Sequence, residues 1–143
     1  MSPLLTPLAT PFLEARNRTV MSAMTRGFAD SDHCATPEIA AYYRRRAEGG
    51  VGLILTEGVV IHPTADGYQD VPRIATTKQA DSWRPVVDAV HEAGAKIACQ
   101  LWHCGRISHS DFTDGHAPVS STTRAAEGIN RQNDKPYGDP RAL

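Results

Sequence analysis

Three short stretches of this 143-residue chain set polar or aromatic side chains directly after apolar runs: Thr25-Arg26, Thr56-Glu57-Gly58 and Gln100-Leu101-Trp102-His103. If the runs are strands of one parallel sheet, these residues leave it at the same rim, where α/β proteins gather their ligands. Gln100 and Trp102 stand two apart, so strand alternation turns both side chains to one side. A buried amide and a buried indole N–H each need partners, and a flat ring with carbonyl and N–H edges would satisfy both. Gly58 either makes a turn or, lacking a side chain, lets a planar ligand lie on the backbone. Taken singly, Thr25 reads as a loop cap, and Glu57 with Arg26 as a rim ion pair of small energetic weight.

Other reactive types point elsewhere. His103, Cys104 and His109 lack the paired short spacings of a zinc site, so structural roles are expected and no metal is assigned. Cys34 lies ahead of a predicted helix, where a thiol pKa can fall, but no catalytic partner accompanies it. Neither a P-loop nor a G-x-G-x-x-G run occurs, so no glycine loop places a nucleotide phosphate.

The elements that must carry the three stretches follow from two periods. Thr19 to Met24 is short, apolar and β-branched at its start, as in a buried strand. Thr36-Pro37-Glu38 then offers an N-cap, a proline at the first helical position and an acid in the first turn. Ile39, Tyr43 and Ala47 follow at spacings of four until Gly49-Gly50. Val51 to Leu55 is apolar without alternation, as expected of a parallel strand covered on both faces. Thr76 and Gln79 have capping-box spacing, and Trp83, Val86, Val87 and Val90 mark one helix face that Gly94 can end. Lys96 to Leu101 completes a strand-helix-strand-helix-strand order, which predicts a parallel α/β fold. His103 to Leu143 shows neither period and is dense in Ser, Thr, Gly, Asp, Asn and Pro, which predicts a long loop or capping segment. The expected organisation is a lead-in over 1–16, βαβαβ over 17–102 and the capping segment over 103–143, in one domain.

Composition excludes several partner classes. The chain is 41% hydrophobic and 22% charged, with 15 Lys and Arg against 16 Asp and Glu, so it has no electrostatic footprint for nucleic acid or an anionic membrane. No apolar run approaches the roughly 20 residues of a membrane span. Three cysteines are too few and too odd in number for a disulfide framework, which predicts a reduced, cytoplasmic protein.

The same residues carry a resemblance to the Old Yellow Enzyme family, the FMN-dependent ene reductases built on a (β/α)8 TIM barrel. The matching motifs run in family order over nearly the whole chain. They are Asn17-Arg18-Thr19-Val20-Met21 through Met24-Thr25-Arg26, Tyr42 to Ala47, Gly49 to Gly58, Gly67-Tyr68, Trp83, Gln100-Leu101-Trp102-His103 and Gly105 to His109. Ala117-Pro118-Val119-Ser120 and Pro140-Arg141-Ala142-Leu143 extend it through a segment that includes a hairpin near the family's active site. The resemblance implies that Thr25 hydrogen-bonds the flavin near its C4 carbonyl and tunes its potential. It further implies that Ala23, Met24 and Gly58 meet the isoalloxazine through backbone, that Gln100 binds its pyrimidine edge, and that Tyr68 and Trp102 line the substrate pocket. Thr25 with Trp102 resembles the branch acting on enones, maleimides and nitro compounds with NADH or NADPH. Ala23 departs from a common Pro, and Arg73 stands where Pro-Gly-Ile is usual.

What matches is the N-terminal three of eight βα units. The family's histidine-bearing pair, proton-donating tyrosine and phosphate loops belong to the remaining units. The chain is therefore expected to work as the N-terminal part of an ene reductase, completed by a second polypeptide carrying the other strands. The alternative is a truncated, inactive fragment or a non-catalytic binding module.

Overall fold

The computed structural model describes residues 2–143. In chain order its elements are β1 (Leu8–Ala9), β2 (Glu14–Ala15), β3 (Val20–Met21), α1 (Pro37–Glu48), β4 (Leu53–Val60), α2 (Thr77–Ser82), α3 (Arg84–Glu92) and β5 (Lys96–Trp102). They are followed by β6 (Val119–Ser120), β7 (Ile129–Asn130), β8 (Lys135–Pro136) and β9 (Arg141–Ala142). β3, β4 and β5 form a parallel sheet in that order, and it is not closed into a barrel; β1–β2, β6–β9 and β7–β8 form separate two-stranded ribbons.

Helix α1 starts where the sequence predicts. The Thr36 hydroxyl accepts the Ile39 N–H, Pro37 fills the first turn and Gly49 ends the helix. Its buried stripe of Ile39, Tyr42, Tyr43 and Ala47 packs with Trp83, Val86 and Val90 of the second helical segment and Ile54 and Val59 of β4. Burial of each large apolar side chain in this layer contributes about 1.5–3 kcal/mol. The capping box of Thr76 and Gln79 is formed. The helix it opens is nevertheless split, with α2 ending at Ser82 and α3 starting at Arg84. Pro85 supplies the reason: it has no N–H for the Asp81 carbonyl and its ring crowds that group. Gly94, at φ +80°, then turns the chain in a conformation open to glycine.

The strands differ from expectation at their ends. The first is only Val20–Met21, because its ladder with β4 stops after Met21↔Ile54. The second begins two residues later than Val51 and runs on through Thr56, Glu57 and Gly58 to Val60. Those three residues therefore lie inside the strand instead of leaving it. The cause is a bulge: between Leu55↔Ala98 and Gly58↔Gln100, two residues of β4 oppose one of β5. In the 103–143 segment the ribbons are two residues long, too short to print a period on the sequence.

At the opposite end of the sheet Arg16 holds the layers together. Its guanidinium donates to the carbonyls of Ala47, of Val51 at 2.8 Å and of Ala93 at 3.0 Å, tying the C-terminal ends of α1 and α3 to the start of β4. The Asn17 side chain adds bonds to the Gly50 carbonyl and to Thr19.

Candidate active site

The bulge on β4 organises the rim. Thr56 sends its hydroxyl proton to the Glu57 carbonyl (2.7 Å) and accepts the Gln100 N–H (3.0 Å), replacing a ladder bond that the extra residue removes. Glu57 is fully buried. Its Oε2 accepts the backbone N–H groups of Arg26 (2.8 Å) and Gly27 (3.1 Å), while its own N–H goes to the Tyr43 hydroxyl (2.7 Å). Oε1 is buried without a partner. Burial pushes the Glu57 carboxyl above its usual range, against the two backbone donors and the Arg26 charge. Burial likewise raises the Tyr43 phenol.

The expected rim ion pair is absent. Glu57 takes the Arg26 backbone, and the Arg26 guanidinium stacks over Tyr42 (4.5 Å) and Phe28 (5.2 Å), with Arg46 on Tyr42 at 3.7 Å. Both cations use ring faces, a geometry suited to guanidinium.

Ala23 is half-buried, and Met24 and Thr25 are exposed on the chain that leaves β3. Gln100 is exposed too, not buried as strand alternation suggested, because the face of β5 carrying Ala98 and Gln100 is uncovered. Neither the Thr25 hydroxyl nor the Gln100 amide has a hydrogen-bond partner among the described residues. Trp102 does not share that exposure. Its indole lies over Gly58, where an added Cβ would fall 2.2 Å from Cε3, and against the Tyr68 ring at 4.8 Å between centroids. Gly58, Tyr68 and Trp102 are thus in one cluster, with Gln100 beside Gly58 in the ladder and Thr25 across β4.

Tyr68 is held by a buried pair that the sequence reading passed over. Asp66 Oδ2 accepts from Arg73 Nε at 2.9 Å, and Oδ1 accepts the N–H groups of Gly67 (2.7 Å) and Tyr68 (3.1 Å). The Arg73 N–H bonds the His33 carbonyl, and Arg73 forms a parallel bridge with Val60, the last residue of β4. Ser108 Oγ donates to the Asp66 carbonyl, and the Cys104 N–H bonds Ala65, so the stretch after β5 closes on this loop. The signal available beforehand was an acid and an arginine seven apart around Gly67-Tyr68. For Glu57 it was a carboxylate inside an otherwise apolar strand. A cavity of about 280 Å³ opens between Tyr68 and the β7–β8 ribbon, lined also by Asn130, Arg131, Gln132 and Tyr137. His103 and His109 serve local turns, each Nδ1 accepting an N–H two residues on.

The description NADH:flavin oxidoreductase / NADH oxidase family matches residues 3–142, and the chain belongs to that family, which includes the Old Yellow Enzymes. Rice (Oryza sativa subsp. japonica) 12-oxophytodienoate reductase 1 is 44% identical over 123 residues, 85% of this chain and 32% of the relative. The 12-oxophytodienoate reductase 7 of the same plant is 41% identical over 124 residues, covering 86% of this chain and 31% of that protein. The old yellow enzyme homologue from Zymomonas mobilis superposes with a TM-score of 0.90 at 38% identity, over 99% of this chain and 40% of that one. Morphinone reductase in complex with tetrahydroNAD gives 0.89 at 38%, over 100% and 41%. The chain thus has the fold of the N-terminal portion of an Old Yellow Enzyme TIM barrel and spans about a third of the length of these curated relatives. No helix among the described residues is long and apolar enough to cross a membrane.

Proposed function

We propose that this chain supplies the first three strands of an NAD(P)H-dependent FMN ene reductase that reduces the C=C bond of α,β-unsaturated carbonyl, nitro or maleimide compounds. The observation that carries the reading is the pair of exposed, unpartnered polar side chains, Thr25 and Gln100, on either side of β4 at the rim where Met24 is also 48% exposed. A ring with apolar faces and carbonyl and N–H edges fits that donor set. Thr25 would bind near its C4 carbonyl and Gln100 its pyrimidine edge, with Ala23, Met24 and Gly58 meeting it through backbone. FMN, when bound, supplies the hydride chemistry between nicotinamide and substrate. Tyr68 and Trp102 form the aromatic wall that selects the substrate and keeps water from it. In this reading 1–16 is the lead-in, 17–102 the barrel portion and 103–143 the cap.

The partner in this reading is a second polypeptide carrying the remaining barrel strands. Its support is the uncovered sheet: Val20 is 56% exposed and Leu101 65%, and β3 and β5 each have a free edge among the described residues. The test is to assay the chain with FMN, NADPH or NADH and 2-cyclohexenone, alone and after adding a polypeptide with the other strands. Flavin retention and turnover only on mixing support the reading. Turnover by the short chain alone overturns the need for a partner, and no turnover in either case leaves the inactive or binding-module reading.

A further inference from the structure

We propose that the Thr56–Glu57 bulge is a positioning device that sets Thr25 and Gln100 relative to each other across β4. The inference rests on the flavin reading above only for what those two side chains face.

The bulge gives two adjacent residues to one gap in the ladder, and each is committed to a different neighbour. Thr56 reaches β5: its hydroxyl accepts the N–H of Gln100 itself and passes its own proton to the Glu57 carbonyl. Glu57 reaches the chain leaving β3: one carboxylate oxygen takes the two N–H groups immediately after Thr25. No ladder continues past Met21, so among the described residues these bonds are what register Ser22 to Gly27 to the sheet from β4. Position in the ladder comes from Gly58↔Gln100, and the Tyr43 hydroxyl on the Glu57 N–H fixes the bulge against α1. A fully buried carboxylate is a costly way to hold two amides, and a structural loop could be tied by a backbone carbonyl at less expense. What the side-chain carboxyl adds is a single oxygen of defined reach that takes both amides. One methylene of reach separates Glu from Asp, so length is a direct probe of the device.

The measurement is amide hydrogen exchange by NMR on the whole 143-residue chain carrying E57D, E57Q, T56V or T56S. E57D is expected to speed exchange at Arg26 and Gly27 by roughly tenfold while α1 and α3 keep their protection. E57Q, which keeps the acceptor at full reach, is expected to restore it. T56V is expected to act on Gln100 alone, and T56S to restore that site. Equal acceleration throughout the helices, or none at Arg26 and Gly27 in E57D, overturns the proposal. The midpoint potential of bound flavin in the assembly with the remaining strands is the second readout, expected to shift in E57D and T56V and to return in E57Q and T56S. A local exchange change without any shift in potential overturns the flavin-facing half and returns Thr25 and Gln100 to other work.

Discussion

The Arg73 guanidinium donates to the Asp66 carboxylate across 2.9 Å where Asp66 is wholly buried and the Arg73 side chain is 10% exposed. The other oxygen of the same carboxylate holds the amides of Gly67 and Tyr68, so one buried anion fixes the loop that sets Tyr68 on Trp102. The Arg73 side chain thus fills the loop and supplies its counter-charge.

Removing only the cation should therefore be expensive. Arg73→Ala is expected to cost about 3–5 kcal/mol, since it leaves a buried carboxylate uncompensated. Adding Asp66→Asn to it should recover part of that loss. Denaturant midpoints of the two single variants and the double variant check the coupling, and additive losses would count against it.

Gly58→Ala should act through Trp102. A Cβ within 2.2 Å of Cε3 forces the indole off its seat or the bulge out of register, for about 1–3 kcal/mol of overpacking. Trp102→Ala should absorb most of that penalty, so the double variant is less destabilised than the sum. In an assembled barrel Trp102→Ala should change relative rates on small and bulky enones while FMN content holds. Loss of flavin from that variant would show the ring is not merely a wall of the pocket.

The buried Glu57 carboxyl gives a pH signature with a definite sign. Its folded pKa is raised above the unfolded value, so its favourable contribution is complete below the unfolded pKa and is lost as pH rises through the folded one. Glu57→Gln lacks that term. The stability of E57Q relative to the parent should consequently increase as pH climbs from about 4.5, near the free carboxyl value, toward neutrality. Denaturant melts of both proteins at several pH values measure it, and a flat difference would refute it.

Thiol chemistry offers a separate check. Burial, with a smaller push from Asp66, raises Cys104 to about 12, and burial raises Cys99 as well. Iodoacetamide at pH 8 should label Cys104 at least tenfold more slowly than a free thiol, because only the thiolate reacts. Peptide mass mapping against time reads the rates.

Much of the layer order was legible beforehand because it rests on strong local signals. Thr36-Pro37, the Thr76–Gln79 box and the apolar stripe of Ile39, Tyr43 and Ala47 each specify a helix by themselves. What escaped was where polar atoms inside the sheet find partners. Glu57 looked like a rim acid since nothing local reveals that a bulge turns it toward the Arg26 and Gly27 amides, thirty residues away. The Asp66–Arg73 pair depended on a loop closing, and the break at Trp83 on one proline within a convincing periodicity. Gln100 read as buried because the rule of alternation says which side a residue takes, and coverage of that side belongs to other elements.

Arg16 and its three carbonyl partners lie at the end of the sheet away from Thr25, Gln100 and Trp102. One side chain there fastens two helices and a strand, so the sheet is anchored at the pole opposite the rim as well as at the rim itself. Thr25 and Gln100, whose side chains bond nothing among the described residues, can then be varied without touching the Arg16 anchor, whereas Gly58 and the Asp66–Arg73 pair sit at the rim and also hold it together. Conversely, a rim variant that falls apart can be rescued from a distance, by reinforcing the Arg16 end.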